Sequence, residues 1–261
     1  MPLAALAILV GLFGLAVGSF LNVVIHRVPR GESVVAPASR CPNCGTPIRA
    51  WHNVPVLSWL LLRGRCAECA APISVRYPLV EAGTAALFVV LAVRLDHLVL
   101  RSAIPAYLYF GAIGVALALI DLDCRRLPDS IVLPSYPVLA ALLAASAAGQ
   151  QSWWPLGRAA IAGGALFAFY FALAFAYPAG MGFGDVKLAG LLGGVLGYLS
   201  WSALVVGAFL GFLLGAIVGV AVLASGRGNR KTALPFGPFM IAGTLIAIFT
   251  ARPIADLWLH R

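Results

Sequence analysis

The sequence predicts an all-α polytopic membrane protein of about eight transmembrane helices, with a small cytoplasmic four-cysteine zinc-binding loop domain between the first and second. Three observations predict it. Of the 261 residues, 62% are hydrophobic and only 10% charged, with a mean hydropathy of +0.97; a water-soluble domain carries about a quarter charged residues. Apolar runs close to the roughly 20 residues that cross a bilayer recur along the chain. Four of the five cysteines fall in one polar segment. This composition excludes a soluble enzyme, a disordered tail and a coiled coil.

The apolar runs lie at 4–25, 79–95, 103–121, 130–148, 158–177, 186–200, 202–224 and 235–255. The second is the weakest, because Arg94 and Asp96 arrive early, and the sixth and seventh meet at a tight turn at Ser200 and Trp201. Arg27 and Arg30 follow the first run instead of preceding it, so it reads as a retained span and not a cleaved signal peptide. The expected organisation is a first helix at 1–25, a loop domain at 26–78 and a helical bundle at 79–261. Gly207, Gly211, Gly215 and Gly219 repeat every four residues, as do Gly190/Gly194 and Gly193/Gly197. Small residues on one helical face let backbones approach closely in lipid, so these glycines shape a bundle.

The net charge of +9 is resolved by its distribution. Arg27, Arg30, Arg40, Arg49, Arg63, Arg65, Arg76, Arg125, Arg126, Lys187, Arg227, Arg230 and Lys231 fall on the side of the polar loop. Arg94, Arg101, Arg158, Arg252 and Arg261 fall on the other. Excess Lys and Arg mark the cytoplasmic side, which places the loop in the cytoplasm and both termini outside. The basic balance therefore reflects membrane topology, with lipid and not nucleic acid as the surrounding partner.

The loop carries Cys41-Pro-Asn-Cys44 and, 21 residues on, Cys66-Ala-Glu-Cys69. Two such knuckles about 15–20 residues apart wrap four thiolates around one tetrahedral Zn²⁺. A segment of about 50 residues has little core of its own, so a metal supplying folding free energy is physically reasonable. Two disulfides or free thiols are the other readings; a reducing cytoplasm disfavours the disulfides. Four protein thiolates leave no open coordination position, so the zinc would be structural. Cys124 reads as a buried packing residue.

Acids at a bilayer edge cost roughly 2.5–3.5 kcal/mol on insertion scales and mark functional candidates. The cytoplasmic helix ends carry Glu81, Asp121, Asp123, Asp129 and Asp185. Asp121 closes the third run, and Asp185 opens the sixth in Gly182-Phe183-Gly184-Asp185-Val186-Lys187. The glycines flanking Phe183 allow an extended peptide to come close. Two carboxylates that meet cannot both ionise comfortably, so one holds a proton while the other is a base. Such a pair hydrolyses a peptide bond without metal or covalent intermediate. Asp123 and Asp129 read as solvated caps or partners of Arg125 and Arg126, with Asp129 capping the fourth helix. Asp185 could instead pair with Lys187.

These residues resemble the type IV prepilin peptidases, membrane aspartyl proteases of the Gly-x-Gly-Asp kind. Gly18-Ser19-Phe20-Leu21-Asn22-Val23-Val24-Ile25-His26-Arg27-Val28-Pro29 is similar to the family's opening signature, and Ser39 to Gly45 with Gly64 to Cys69 to its cysteine loop. Ile73-Ser74, Tyr77-Pro78-Leu79-Val80-Glu81, Asp121 with Pro128-Asp129, the block at 182–187 and Pro235-Phe236-Gly237-Pro238 follow in order. The resemblance implies that Asp121 and Asp185 are catalytic, with Gly182, Gly184, Lys187, Asp123 and Asp129 supporting. It implies cleavage of type IV prepilins or pseudopilins at the bacterial inner membrane, on the cytoplasmic side, after the glycine ending a short basic leader. It also implies methylation of the new N-terminal amine with S-adenosyl-L-methionine.

No glycine-rich fingerprint marks a site for the methyl donor, so its ligands are unassigned. The chain departs from the family where an acid is expected before Asn53-Val54-Pro55 and Trp51-His52 stands instead; loss of that acid would leave a peptidase without methyltransferase activity. His52 by itself reads as a solvated loop residue. Two other classes compete. A proton-coupled transporter would place its acids near the bilayer midplane within an internal repeat. A zinc-loop secretion assembly factor would leave the aspartate blocks without a purpose.

Overall fold

A computed structural model of the protein describes residues 1–177, 181–226 and 234–259, with side chains as far as 250. Each apolar run holds a helix: α1 (Leu3–Arg27), α3 (Arg76–His97), α4 (Ile104–Cys124), α5 (Asp129–Gly149), α6 (Trp154–Ala176), α7 (Phe183–Leu199), α8 (Trp201–Ala224) and α9 (Gly237–Leu259). A short helix, α2 (Leu57–Leu61), lies in the cysteine loop. Among the described residues the only extended pairings are two isolated antiparallel bridges, Arg40 with Pro47 and Arg65 with Pro72.

Among the described residues six helices are long and apolar enough to cross a membrane, against the eight expected. The shortfall falls on the last third of the chain. α7 has 17 residues, below the roughly 20 that a bilayer core requires, and carries Asp185 and Lys187. Its described neighbours bury it along most of its length, from Val186 to Tyr198. The described apolar stretch of α9, Gly237–Thr250, is also short. Of the charges used for orientation, Arg227, Arg230, Lys231 and Arg261 lie outside the described residues, as does the side chain of Arg252.

The chain divides into two compact units. The first comprises Met1–Ile104 with Gly111–Ala116. Within it α1 packs along α3, and the contact is close because Gly14 and Gly18 have no side chain. A Cβ at Gly14 would lie 2.7 Å from the Ala85 Cα, and one at Gly18 2.7 Å from the Glu81 Cα. This is the small-residue packing that helices use in lipid. On its opposite face α1 exposes Ile8, Leu9 and Leu12, apolar surface suited to acyl chains. At its last turn the Arg27 guanidinium donates to the Ser33 carbonyl at 2.9 Å and the Pro37 carbonyl at 2.8 Å, folding the start of the loop back on the helix.

The second unit comprises Pro105–Phe110 and Leu117–Arg261. α6 pairs with α7 and α8 with α9, while α7 also touches α5, α8 and α9. The glycine stripes make this possible: a Cβ at Gly193 would meet the Ala162 carbonyl at 2.7 Å, and one at Gly243 the Gly207 carbonyl at 2.9 Å. The turn between α7 and α8 stands where the sequence placed it, with the Ser200 hydroxyl accepting the Ala203 N–H at 3.0 Å as an N-cap. At the same end, Arg158 of α6 donates to the carbonyls of Gly197, Tyr198 and Leu199 at 2.5, 2.7 and 2.8 Å. A cation there satisfies the C-terminal carbonyls that a helix leaves unbonded.

Candidate active site

Asp121 sits in the last turn of α4 and is 5% exposed. Its Oδ2 accepts the backbone N–H of Gly237, the first residue of α9, at 3.1 Å. Asp185 is half-buried in the first turn of α7, and its Oδ2 accepts the Gly182 N–H at 3.2 Å. An acid at the third helical position that reaches back to the N-cap amide fixes both the helix start and its own carboxylate. Leu127, in the connection between α4 and α5, stands between the two settings. A Cβ at Gly184 would lie 3.1 Å from the Leu127 Cβ, and one at Gly237 3.2 Å from its Cδ2. Leu127 thus lies beside both the residue that precedes Asp185 and the residue whose amide holds Asp121.

Around this pair the supporting residues sort differently from their sequence expectations. Lys187 does not pair with Asp185: its Nζ donates to both oxygens of Asp129, at 2.6 and 2.8 Å, and lies 5.0 Å from the Phe183 ring centre. The Tyr136 hydroxyl donates to the Lys187 carbonyl at 2.5 Å, tying α5 to α7 a second time. Asp129 is the acid of the first turn of α5, where its charge suits the helix N-terminus, but it pairs with neither Arg125 nor Arg126 in the described contacts. Pro128 occupies the N-cap of α5 without a side-chain bond, and the Asp129 carboxylate is taken by the lysine. Asp123 is exposed. Cys124 is exposed too, correcting the expectation of a buried packing residue; it ends α4, where the helix leaves its neighbours.

In the first unit, the ligand atoms of Cys41, Cys44, Cys66 and Cys69 all lie within 4.8 Å of one another, and Cys41 Sγ is 3.8 Å from Cys69 Sγ. Four thiolates about 2.3 Å from a tetrahedral Zn²⁺ stand about 3.8 Å apart, so the donor set fits that ion. The two knuckles repeat one turn. Gly45 N–H donates to the Cys41 carbonyl at 2.9 Å and Cys41 N–H to the Thr46 carbonyl at 3.0 Å; Ala70 N–H to Cys66 at 3.0 Å and Cys66 N–H to Ala71 at 2.8 Å. Hydrogen bonds with Thr46 lower the Cys44 thiol to about 6, and the backbone N–H of Cys69 lowers Cys66, favouring the thiolate a metal requires.

Sequence reasoning left two residues without a role. Gly237 lay in the Pro-Phe-Gly-Pro block, but nothing local ties that block to an acid 116 positions earlier. Glu81 was one of several acids at helix ends. It is 8% exposed and accepts the Val56 N–H at 2.7 Å, which only the folded loop reveals. His52 differs from its expectation: it is half-buried and lines a cavity instead of standing in solvent.

Fold and site together define a multi-pass helical membrane protein with two acids at helix ends, each held by a backbone N–H, and a four-thiol knuckle suited to a metal. Comparison with known proteins names the family. Residues 12–95 match the bacterial peptidase A24 N-terminal domain, and residues 107–220 match the type IV leader peptidase family. A prepilin leader peptidase/N-methyltransferase of Aeromonas hydrophila is 38% identical over 280 residues, covering 96% of this chain and 93% of its own. The protein of that name from Pseudomonas putida is 40% identical over 269 residues (90% and 87%), and one from Burkholderia pseudomallei strain 1026b 35% over 283 (92% and 84%). No solved structure matches. The chain belongs to the type IV leader peptidase family.

Proposed function

We propose that this protein cleaves the leader peptide from type IV prepilins and pseudopilins after a glycine, on the cytoplasmic side of the bacterial inner membrane, and N-methylates the new N-terminal residue. The names of its relatives support the two activities. Each carboxylate is held by a backbone N–H in the second unit, and Leu127 lies beside both Gly184 and Gly237; this geometry supports the assignment of the peptidase step to Asp121 and Asp185.

In that step the ionised carboxylate takes a proton from water, and the oxygen of that water attacks the scissile carbonyl carbon. The protonated partner gives its proton to the leaving amine as the C–N bond breaks. Gly182 leaves the approach to Asp185 clear for an extended peptide, and Gly184 lets Leu127 pack against the first turn of α7. Lys187 and Asp129 hold α7 to the start of α5, with Asp123 nearer the solvent. Cys41, Cys44, Cys66 and Cys69 hold a structural Zn²⁺ in this reading. S-adenosyl-L-methionine supplies the methyl group when bound. The excess of basic residues on the loop side supports eight crossings with both termini outside, α7 crossing within a sheath of its neighbours. The corresponding parts are the helix at 1–25, the loop domain at 26–78 and the peptidase bundle at 79–261.

The test is direct. Purified protein is incubated with a pilin precursor, with and without S-adenosylmethionine, and the product weighed by mass spectrometry. Loss of the leader alone without the donor, and loss of the leader plus a methyl group with it, is the expected result. An uncut precursor would refute the reading.

A further inference from the structure

The short connection between α4 and α5 places Leu127 with little freedom. The Asp121 carbonyl accepts the Arg125 N–H at 2.8 Å, and Arg125 has a φ of 54°, so α4 ends in a left-handed turn built on Asp121 itself. Further on, the Pro128 carbonyl accepts the N–H groups of Ile131 and Val132, each at 3.0 Å, as α5 begins. A residue before proline is kept out of the helical region, and Leu127 belongs to neither helix.

Its side chain meets two walls. The Leu127 Cβ faces Gly184 and its Cδ2 faces Gly237, at 3.1 and 3.2 Å from where those glycines would carry a Cβ. Both walls are firm. Gly184 lies in the first turn of α7. Phe236, just before Gly237, has its ring 5.3 Å from that of Phe212 and 6.3 Å from that of Tyr170, and a Cβ at Gly215 would stand 3.0 Å from it. Packing this close leaves no void for a further methyl group between the leucine and these walls. Leu127 is nevertheless only half-buried, and its remaining surface is open to a ligand.

The same two glycines serve the acids. Gly237 N–H holds Asp121 Oδ2 at 3.1 Å, and Gly184 directly precedes Asp185. A peptide carbonyl attacked between these carboxylates therefore has a flanking residue against Leu127. Leucine already fills the volume that a side chain on that residue would need. We infer that Leu127 is a specificity-determining residue, which restricts the carbonyl side of the cut bond to glycine by occupying the place of a side chain. The inference rests on the leader-cleavage half of the proposed function and gives the preference for glycine a steric cause in this chain. The competing cause is conformational, a backbone torsion that only glycine adopts easily; in that case trimming Leu127 would leave the preference intact.

The experiment uses the full chain in detergent and two pilin precursors that differ only in glycine or alanine immediately before the cut. kcat/KM is measured on each for the wild type, Leu127→Val and Leu127→Ala, with the cut bond verified by product mass. One methyl group in a fitted pocket discriminates by about 10- to 200-fold, and the wild type should disfavour the alanine precursor on that scale. The ratio of glycine to alanine cleavage should fall by about tenfold or more in Leu127→Ala, and by less in Leu127→Val. Because each ratio is taken within one variant, a loss of folded protein cancels from it, and Leu127→Val supplies the ratio if the alanine variant cuts neither precursor. A wild-type ratio in the variants, or a wild type that cuts both precursors equally, would overturn the role of Leu127 and leave leader cleavage standing. A wild type that cuts neither precursor would overturn the leader-cleavage reading and the inference with it.

Discussion

The carboxylate of Asp121 and the backbone of Gly237 meet at 3.1 Å across 116 positions of sequence. Residue 237 has to be small: a Cβ there would stand 2.8 Å from the same carboxylate oxygen. An added methyl group would displace the carboxylate from its N–H donor while leaving helix propensity intact or improved. Gly237→Ala should therefore lower prepilin cleavage by about 10- to 100-fold, the scale of effect that small misplacements of catalytic groups produce. Circular dichroism should be unchanged. Wild-type processing by this variant would show that the contact is incidental.

Asp121→Asn and Asp185→Asn should each abolish cleavage, by at least the 10²- to 10⁴-fold that general acid–base catalysis supplies. Asparagine can accept the same N–H from Gly237 or Gly182, so folding and insertion should survive. The readout is the rate of leader removal beside a thermal-unfolding curve in detergent. Normal processing by either variant would show that the pair is misassigned.

Much of this architecture is readable in the sequence because a bilayer imposes a strong rule: backbone polar groups must be satisfied within helices, and helices must be long and apolar. Hence the positions of α1, α3, α4, α5, α6 and α8. The rule loses force for α7, where Gly190, Gly193 and Gly197 lie against other helices and not against lipid, and length no longer reports a crossing. The four thiols were legible because metal ligation fixes their spacing. The Lys187–Asp129 pair was not. Asp129 had a plausible local role at a helix start, and a competing contact 58 positions away in sequence leaves no periodic trace. Glu81 was likewise obscured, since the loop that gives it a partner has no regular pattern to read.

The Lys187–Asp129 pair should position α7 more than it stabilises the protein. Asp129 has 55% of its side chain exposed against 18% for Lys187, and such partly solvated pairs contribute about 0–1 kcal/mol. A double-mutant cycle with Asp129→Asn and Lys187→Met should give a coupling of about 0.5 kcal/mol in thermal stability. Prepilin cleavage should fall severalfold in each single variant, because the first turn of α7 carries Asp185. A coupling several times larger would mean that the pair is a main structural tie.

Zinc should bind in the ratio of one ion per chain, as four thiolates close one tetrahedral site. Metal analysis by mass spectrometry should find it in the wild type and not in Cys41→Ser, whose loop should become sensitive to protease. Leader cleavage should persist in the variant, because Asp121 and Asp185 and the amides that hold them all belong to the second unit. Wild-type protein purified without any zinc would remove the metal site from the account.

The two knuckles share a turn but not a residue at its tightest point. Gly45 has φ of +72° and Ala70, at the equivalent place, φ of +55°. Each donates its N–H back to the first cysteine of its knuckle, at 2.9 and 3.0 Å. In the left-handed region a Cβ costs about 1–2 kcal/mol, and glycine returns part of that by widening the unfolded ensemble. Ala70→Gly should therefore stabilise the loop by about 0.5–1 kcal/mol and slow zinc release to a chelator. Gly45→Ala should weaken the loop by a similar amount and speed release, since nothing lies within 4 Å of a Cβ there and the cost is one of backbone conformation alone. Zinc-release rates that move in the same direction for both variants would show that the knuckles are not held by equivalent turns.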